Sequence, residues 1–242
     1  MSTTTQRRPR RRLFAKTLLA VVVLSSIVAA FWFGLVPQRF SPFAPISLSQ
    51  PGQWFADLRL ATLRHDRPLC LSVIASPLLE ADPVTDMERQ DGCGWRNAVR
   101  VDAAAGAAIP IGTVTCEMAA ALALWIAHDV QPLAERHLGQ RVTRVEHMGA
   151  YACRNIIGSK TLSGFRSQHA SANALDISAF RLADGRVIRL ARDWRSSGPQ
   201  ATFLREIHRS ACRVFRVALS PDFNEAHHDH FHFDRGPFVT CR

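Results

Sequence analysis

The sequence predicts an α+β domain, a small and mainly antiparallel sheet flanked by helices, that follows one N-terminal transmembrane helix. Three observations support this fold class: apolar residues recur at helical spacing in two segments, an Asp-Gly turn separates two apolar runs, and one long uncharged run lies near the N-terminus. The chain has 242 residues, of which 47% are hydrophobic and 21% charged. A chain of this size and composition can bury a substantial core.

The N-terminal segment is predicted to anchor the chain in a membrane. The twenty residues from Thr17 to Val36 carry no charge, and a helix of that length crosses about 30 Å of hydrocarbon. Residues 1–16 contain six Arg and Lys and no acid, so this basic tail is expected to stay in the cytoplasm. A cleaved signal peptide, cut after the small residues Val28-Ala29-Ala30, is the alternative.

The segment after the predicted span has the composition of a linker. Residues 37–52 contain four prolines among Ser, Gln and Gly, which is typical of an extended tether. The folded domain is therefore predicted to occupy residues 53–242.

The net charge of +10 first suggests a nucleic-acid partner, but its distribution argues against one. Six of the 30 Arg and Lys lie in the basic tail, so residues 17–242 carry 24 of them against 20 Asp and Glu, a net charge of about +4. Phosphate binding requires basic residues that cluster on a folded surface. We therefore expect no nucleic-acid partner.

The cysteines indicate an oxidising compartment. All six lie beyond the predicted span, and an even number in an exported domain is typical of disulfides. A structural zinc site built from cysteines is disfavoured, because such sites usually bring cysteines as near pairs in sequence. Fifteen pairings remain open, and we expect most of these residues to be oxidised: Cys70, Cys93, Cys116, Cys153, Cys212 and Cys241.

Two segments are predicted to be helical. Between Thr115 and Leu138 apolar residues recur at steps of three and four, which predicts an amphipathic helix that Pro132 bends. The second helix is predicted from Pro199 to Phe215, where the apolar residues again fall on one face.

The strands are predicted from shorter patterns. Ala183-Asp184-Gly185 lies between two apolar runs, which is a strong signal for a hairpin. In chain order, the predicted strands are residues 141–153, 174–182, 187–190, 214–220 and 230–234.

Histidines concentrate near the C-terminus, in the segment HHDHFHFD. As a strand, this segment would place His230, His232 and Asp234 on one face and two phenylalanines, Phe231 and Phe233, on the other. The phenylalanines can then anchor the strand in the core. The histidines are presented together to a cleft.

A second segment, SQHASANALDIS, brings a further histidine and a carboxylate. His169 and Asp176 are seven residues apart, and a loop that closes back onto the start of a strand would bring both side chains to one point. Two imidazoles and one carboxylate leave one corner of a tetrahedral zinc site open for water. Zinc lowers the pKa of that water toward about 7 and polarises a carbonyl group, which makes amide hydrolysis feasible.

These segments together resemble a known family. The pattern of Ser167, His169, Ala174 and Asp176, followed by H-x-H, is similar to the zinc signature of the D-alanyl-D-alanine carboxypeptidase, lysostaphin and hedgehog superfamily. More specifically, YACR, HASANALDISAF, FLREIHRSACRVF and NEAHHDHFHFD resemble the bacterial extensin-like C-terminal domain family. This likeness covers roughly Leu69 to Arg242, and its specific part is the last 95 residues.

The resemblance implies a periplasmic zinc peptidase that acts on peptidoglycan peptides and is held in the inner membrane by the N-terminal helix. Arg154 would stabilise the oxyanion of the tetrahedral intermediate. Asp229 is favoured as the general base, with His230 as the second candidate. Matched by position, the three zinc ligands are His169, Asp176 and His232.

One position departs from the family pattern, which usually has Gly three residues after the first ligand, where this chain has Ala172. If that position requires a positive φ, alanine costs about 1 kcal/mol or more and can displace His169. The alternative function is therefore a non-catalytic module, stabilised by zinc, that binds wall peptides or another envelope protein.

Overall fold

The computed structural model describes residues 8–89, 91–158 and 160–242. The chain divides into an N-terminal unit that ends at Ala44 and a folded domain from Pro45 to Arg242. The two units are described separately below.

The N-terminal unit is dominated by one helix, α1 (Arg8–Trp32). Its apolar part, Arg11–Trp32, is long and apolar enough to cross a membrane, in agreement with the predicted span. The helix begins inside the predicted basic tail, of which residues 1–7 lie outside the described part of the chain. A short 3₁₀ turn, Gln38–Phe40, follows.

The folded domain begins eight residues before its predicted start at Gln53. Ile46 and Leu48 are buried in the hydrophobic core, and the Gln53 side chain donates to the Ser47 carbonyl oxygen at 2.6 Å. The second half of the predicted linker, residues 45–52, is thus part of the domain. Its prolines make it irregular, but its two aliphatic residues still gain free energy by burial.

Eleven strands are found in the described residues. In chain order they are β1 (Leu79–Pro83), β2 (Met87–Glu88), β3 (Gly94–Trp95), β4 (Ala98–Ala104), β5 (Ala107–Thr115), β6 (Val142–Gly149), β7 (Ala174–Leu182), β8 (Val187–Arg189), β9 (Val217–Leu219), β10 (Phe231–Asp234) and β11 (Thr240–Cys241).

Nine of these described strands form one sheet in the order β1-β4-β5-β6-β7-β10-β9-β11, with β8 paired to β7. The pairs β5–β6 and β9–β11 are parallel, and the other six pairs described in this sheet are antiparallel. The prediction of a mainly antiparallel sheet is confirmed, as is the hairpin of β7 and β8. Strands β2 and β3 form a separate hairpin.

Six further helices occur in the described part of the folded domain, so the α+β prediction is confirmed. They are α2 (Ala56–Thr62), α3 (Arg67–Ile74), α4 (Cys116–Trp125), α5 (Gln131–Leu138), α6 (Leu190–Asp193) and α7 (Pro199–Ala211). Helices α2 and α3, together with β1 to β5, were not predicted from the sequence.

The predicted helix from Thr115 to Leu138 is two helices, α4 and α5, joined by a π-helical turn at Ile126–Val130. The prediction that this helix is amphipathic is wrong for α4, since all ten of its residues are buried. Pro132 lies directly after this π-turn, as the second residue of α5, and it has no backbone N–H to donate to the preceding turn. The irregularity predicted near Pro132 thus takes the form of a π-turn.

All six cysteines are paired, which confirms that most are oxidised. The disulfides close loops of different length in the folded domain and restrict its unfolded chain. The pairs are Cys70–Cys116, Cys93–Cys153 and Cys212–Cys241.

Candidate metal centre

The centre of the candidate site is the pairing of β7 with β10. These strands are antiparallel, and their register places His232 directly opposite Asp176, so both side chains lie on one face of the sheet. Phe231 and Phe233 point to the other face and are fully buried, as the alternation in HHDHFHFD predicted. Strand β10 begins at Phe231, so His230 precedes the strand instead of starting it.

His169 reaches the same point from a 3₁₀ turn, Gln168–Ser171, that immediately precedes β7. The Ser167 side chain accepts a hydrogen bond from the His169 backbone N–H at 3.3 Å and begins the turn. Ala172 ends the turn with φ of 54° and directs the chain into β7. The position therefore does require a positive φ, and His169 nevertheless lies beside the other two residues.

The structure brings the three residues predicted as zinc ligands together. His169 Nε2 lies 3.1 Å from Asp176 Oδ2, and His232 Nδ1 lies 2.9 Å from Asp176 Oδ1. The two imidazole nitrogens are 3.3 Å apart. One ligand atom from each residue falls within 4.8 Å of the other two, which is close enough for one ion to bind all three.

The outer nitrogen of each histidine is held by a hydrogen-bond acceptor. His169 Nδ1 donates to the Ala150 carbonyl oxygen at 3.1 Å, and His232 Nε2 donates to Asp234 Oδ2 at 3.2 Å. The inner nitrogens, Nε2 of His169 and Nδ1 of His232, therefore face the cluster and can bind a metal once they carry no proton. Metal-binding histidines show this arrangement, so the chemistry of these donors fits zinc.

The cluster strongly shifts two pKa values. Burial acts to raise the pKa of Asp176, but hydrogen bonds from His169 and His232 hold it well below its usual range. Burial acts to lower the pKa of His232, yet hydrogen bonds to Asp176 and Asp234 raise it to about 9. The metal-free cluster thus holds a proton at neutral pH that a bound metal must displace.

His230 and Asp229 form a hydrogen-bonded pair beside the cluster. His230 Nδ1 donates to Asp229 Oδ1 at 2.8 Å, and His230 Nε2 lies 3.7 Å from Asp176 Oδ1. The His230 side chain is 9% exposed and that of Asp229 34%. The hydrogen bond with His230 lowers the pKa of Asp229. His230 therefore faces the cluster, and Asp229 orients its ring from the solvent side.

Arg154 lies next to the turn that carries His169. Its backbone oxygen accepts a hydrogen bond from the Ser167 N–H at 3.1 Å, and the Ala152 N–H donates to the His169 carbonyl oxygen at the same distance. The preceding Cys153 is fixed by its disulfide. The Arg154 guanidinium donates to the Asn155 carbonyl oxygen at 3.4 Å, so Arg154 borders the cluster without a described bond to its three ligands.

His227 is the residue of this site to which the sequence analysis gave no role. Its ring centre lies 5.2 Å from that of His230 and 5.6 Å from that of His232. His227 Nδ1 donates to Asn224 Oδ1 at 2.6 Å, which leaves Nε2 as an acceptor. Burial, with the charges of His232 and His230, lowers its pKa to about 4.

A sequence signal for His227 exists in the spacing to His230. The two residues are three apart, and His227 ends a 3₁₀ turn, Glu225–His227. In such a turn, residues three apart lie on the same side. The strand alternation used for HHDHFHFD applies only from Phe231 onward and could not reveal this pair.

Fold and site together define a disulfide-bonded α+β domain with a largely buried cluster of two histidines and one aspartate. Residues 68–242 match the family described as Extensin-like protein C-terminus. The chain therefore belongs to this family, as the four quoted segments indicated. Neither a curated protein nor a solved structure matches the chain significantly.

Proposed function

We propose that this protein is a zinc-dependent peptidase that hydrolyses an amide bond in peptidoglycan peptides. One observation carries the proposal: three potential ligand atoms of His169, Asp176 and His232 lie within 4.8 Å of one another. The outer nitrogen of each imidazole lies against a hydrogen-bond acceptor, which turns the inner nitrogen toward the cluster. Three ligands leave the fourth corner of a tetrahedral site open, as in catalytic zinc sites.

In this proposal zinc supplies the Lewis acid, and the protein supplies negative charge and holds the ligand side chains in place. Zinc bound by these residues supplies a Lewis acid that polarises the scissile carbonyl and makes water acidic. Asp176 contributes the negative charge that partly neutralises the ion. Asp234 and the Ala150 carbonyl oxygen fix the two rings, which keeps the ligand geometry ready before substrate binds.

Proton transfer is assigned to His230. Its Nδ1–H is held by Asp229, so its Nε2 can accept a proton from the attacking water and later donate it to the leaving amine. The sequence analysis favoured Asp229 as the base. The closer approach of His230 to Asp176 supports the reverse assignment, in which His230 is the base and Asp229 positions it.

Arg154 is proposed to stabilise negative charge on the carbonyl oxygen during the reaction. It is a cation on a segment fixed both by the Cys93–Cys153 disulfide and by backbone pairing with the turn of His169. A preorganised donor at this place contributes a factor of about 10² to 10³ in rate. The charge of Arg154 also contributes to the lowered pKa of His227.

The proposed location is the periplasmic side of the inner membrane. Helix α1 is apolar enough to cross a bilayer, and the basic residues before it favour a cytoplasmic N-terminus. Three disulfides in the folded domain are typical of an oxidising compartment.

The test uses the full-length chain in detergent, loaded with zinc and incubated with purified peptidoglycan sacculi. We expect about one zinc per chain and new muropeptides by mass spectrometry. Asp176→Ala should lose both the metal and the products, whereas Asp184→Ala, an exposed hairpin carboxylate, should retain them. Unchanged cleavage by Asp176→Ala contradicts the proposal. Stoichiometric zinc without cleavage, and wall binding that is indifferent to His230→Ala, would instead support the non-catalytic module.

A further inference from the structure

Five large apolar side chains are exposed at one edge of the folded domain. They belong to two segments, the start of α2 with the residues directly before it and the loop between β10 and β11. A cluster of exposed apolar side chains marks an interaction site, whereas single ones are common on protein surfaces. We call the five residues the apolar edge, and each is at least 49% exposed: Trp54, Phe55, Leu58, Phe238 and Val239.

The Asp57 carboxylate joins the two segments of the apolar edge. Asp57 Oδ1 lies 3.0 Å from Arg235 Nη2 and 3.8 Å from Arg216 Nε. Arg235 begins the loop after β10. Arg216 holds the far end of that loop, because its carbonyl oxygen accepts a hydrogen bond from the Thr240 N–H at 2.8 Å. The ion pairs of Asp57 therefore keep the first turn of α2 beside the loop that carries the other two apolar residues.

The start of α2 is a fixed segment with a strained backbone. Phe55 precedes the helix with φ of 57°, which is rare for a bulky residue. Such strain persists where the surrounding structure fixes it, and it is concentrated at functional sites. Leu60 and Leu63, which follow in the same segment, are fully buried in the core. The exposed side chains before them thus stand on an element that the core holds in place.

The charge of the apolar edge suits an anionic surface. Residues 54–58 and 235–242 contain one acid, Asp57, and two arginines, Arg235 and Arg242. The single carboxylate is already paired with Arg235 and Arg216. Anionic phospholipid head groups attract basic residues near the membrane surface, so they would not repel this edge.

The chain itself keeps the apolar edge close to a bilayer. Helix α1 ends at Trp32 and the folded domain begins at Pro45, and the residues between them, fully extended, span about 40 Å. Apolar exposure continues along this tether at Phe33, Leu35 and Phe43. A short tether raises the effective concentration of one binding partner at the other. The edge lies in the first helix after the tether, so the bilayer is the partner it meets most often.

We propose that the apolar edge docks the folded domain on the phospholipid bilayer that α1 spans. The aromatic and aliphatic side chains enter the layer between the head groups and the acyl chains, where Trp and Phe are favoured. This inference rests on α1 as the membrane span and not on the proposed peptidase activity. Docking uses no residue of the candidate metal centre: His227 and His230 precede β10, whereas the loop of the edge follows it. The bilayer then orients the domain and leaves the proposed base accessible.

The test uses the full-length chain in nanodiscs of phosphatidylethanolamine and phosphatidylglycerol. The photoreactive residue p-benzoylphenylalanine replaces Leu58 or Phe238, one at a time, and mass spectrometry measures the lipid adducts after illumination. Phe165 and Phe223, exposed aromatic residues outside the edge, are the matched control positions. We expect about tenfold more lipid adducts at the two edge positions than at the controls, because only the edge enters the interfacial layer.

A charged variant tests the edge in a second way. Val239→Glu places a carboxylate in the interfacial layer and should lower the lipid adducts formed at Leu58 by about tenfold. Val239 is 74% exposed, so thermal unfolding should not change. Phe165→Glu is the control and should leave the adducts unchanged.

Equal lipid adducts at edge and control positions overturn the proposal. Crosslinks from Leu58 to a second copy of the chain, in place of lipid, overturn it as well. Asp176→Ala separates this inference from the proposed function, since it should abolish wall cleavage and still form lipid adducts at the edge.

Discussion

Two largely buried carboxylates, Asp176 and Glu117, have pKa values that are shifted in opposite directions. Hydrogen bonds from two imidazoles hold the pKa of Asp176 low against the effect of burial. Burial raises the pKa of Glu117, although Arg235 and Arg64 oppose it. Asp176 uses both oxygens on imidazoles, whereas one oxygen of Glu117 has no described hydrogen-bond donor.

The difference lies in what each cluster lacks. Around Asp176, two ring lone pairs and a carboxylate converge, which is a set of acceptors that a cation completes. Around Glu117, arginines already supply positive charge, and the cluster connects α4 to Arg235 after β10. The first cluster is suited to a metal, and the second holds the fold together beside a cavity.

The largest expected effect is on activity at the first carboxylate. Asp176→Ala removes a proposed zinc ligand and should lower peptidoglycan cleavage by on the order of 10³-fold or more, with loss of bound zinc. The measurement is the rate of muropeptide release together with zinc per chain. Retained zinc in Asp176→Ala would show that the ion binds elsewhere. Asp184→Ala, which removes an exposed carboxylate, is the control and should keep both zinc and activity.

The second carboxylate should matter most for stability. Glu117→Ala leaves Arg235, which is fully buried, without one of its anionic neighbours, and breaking a buried ion pair costs about 3 to 5 kcal/mol. Chemical denaturation of the folded domain measures this loss. Glu135→Ala breaks the exposed pair with Arg141 and should cost about 1 kcal/mol or less. Equal losses in the two variants would mean that the Glu117 cluster does not stabilise the fold.

Variants of His230 and Asp229, beside the candidate metal centre, test which of the two is the base. His230→Ala should lower the rate by about 10²- to 10⁴-fold, since it removes the proposed base. Asp229→Asn should lower it by a smaller factor, because the ring keeps its place but loses the carboxylate that orients it. Zinc content should stay unchanged in both. A larger loss in Asp229→Asn than in His230→Ala would restore Asp229 as the base.

The pH dependence of the metal-free domain tests the shared proton. The pKa of His232 is raised from 6.5 to about 9, so its contribution to stability is complete below about pH 6.5 and is lost as the pH rises through 9. Zinc competes with the same proton, so the stabilisation that zinc adds should grow over this range. Thermal unfolding with and without zinc measures both. A metal-free domain that becomes more stable toward pH 9 would refute the assignment.

The smallest expected effect concerns the turn that carries His169. Ala172 has φ of 54°, and Ala172→Gly should relieve this strain and stabilise the domain by about 1 kcal/mol. Ala105→Gly, at a second alanine with positive φ in the β4–β5 turn, should give a similar gain. A change in zinc affinity is expected only for Ala172→Gly, because Ala172 follows the turn that carries His169. Denaturant unfolding measures the gain in stability, and a zinc competition assay measures the affinity. Unchanged zinc affinity in Ala172→Gly would mean that the turn is structural and does not position His169.

The sequence predicted side-chain positions best where they follow from the spacing of residues along one strand or one turn. Alternation in HHDHFHFD predicted the faces of Phe231 and Phe233, and the spacing of His169 and Asp176 suits a turn that closes onto a strand. These are local patterns, and the pairing of β7 with β10 converts them into one cluster. His227 escaped because its position depends on a turn and not on a strand.

The sequence predicted least where the pattern is interrupted. Strand β5 alternates Ala107, Ile109 and Ile111 into the core, but the sequence analysis did not predict it, and Pro110 within the run is unfavourable in a central strand. Pro110 lies where the pairing of β5 with β4 is irregular, opposite the register shift between Val101 and Ala103. A residue at such a bulge can be left out of the hydrogen-bond ladder, so the missing N–H of Pro110 is tolerated there. The buried faces of α4 likewise follow from its position in the fold.

X-ray absorption at the zinc edge of the loaded full-length chain tests the central claim most directly. We expect about four light ligands near 2.0 to 2.1 Å, with the multiple-scattering signature of two imidazoles, and loss of the imidazole signal in Asp176→Ala. A spectrum with sulfur ligands, or with oxygen ligands alone, would contradict a zinc centre formed by His169, Asp176 and His232.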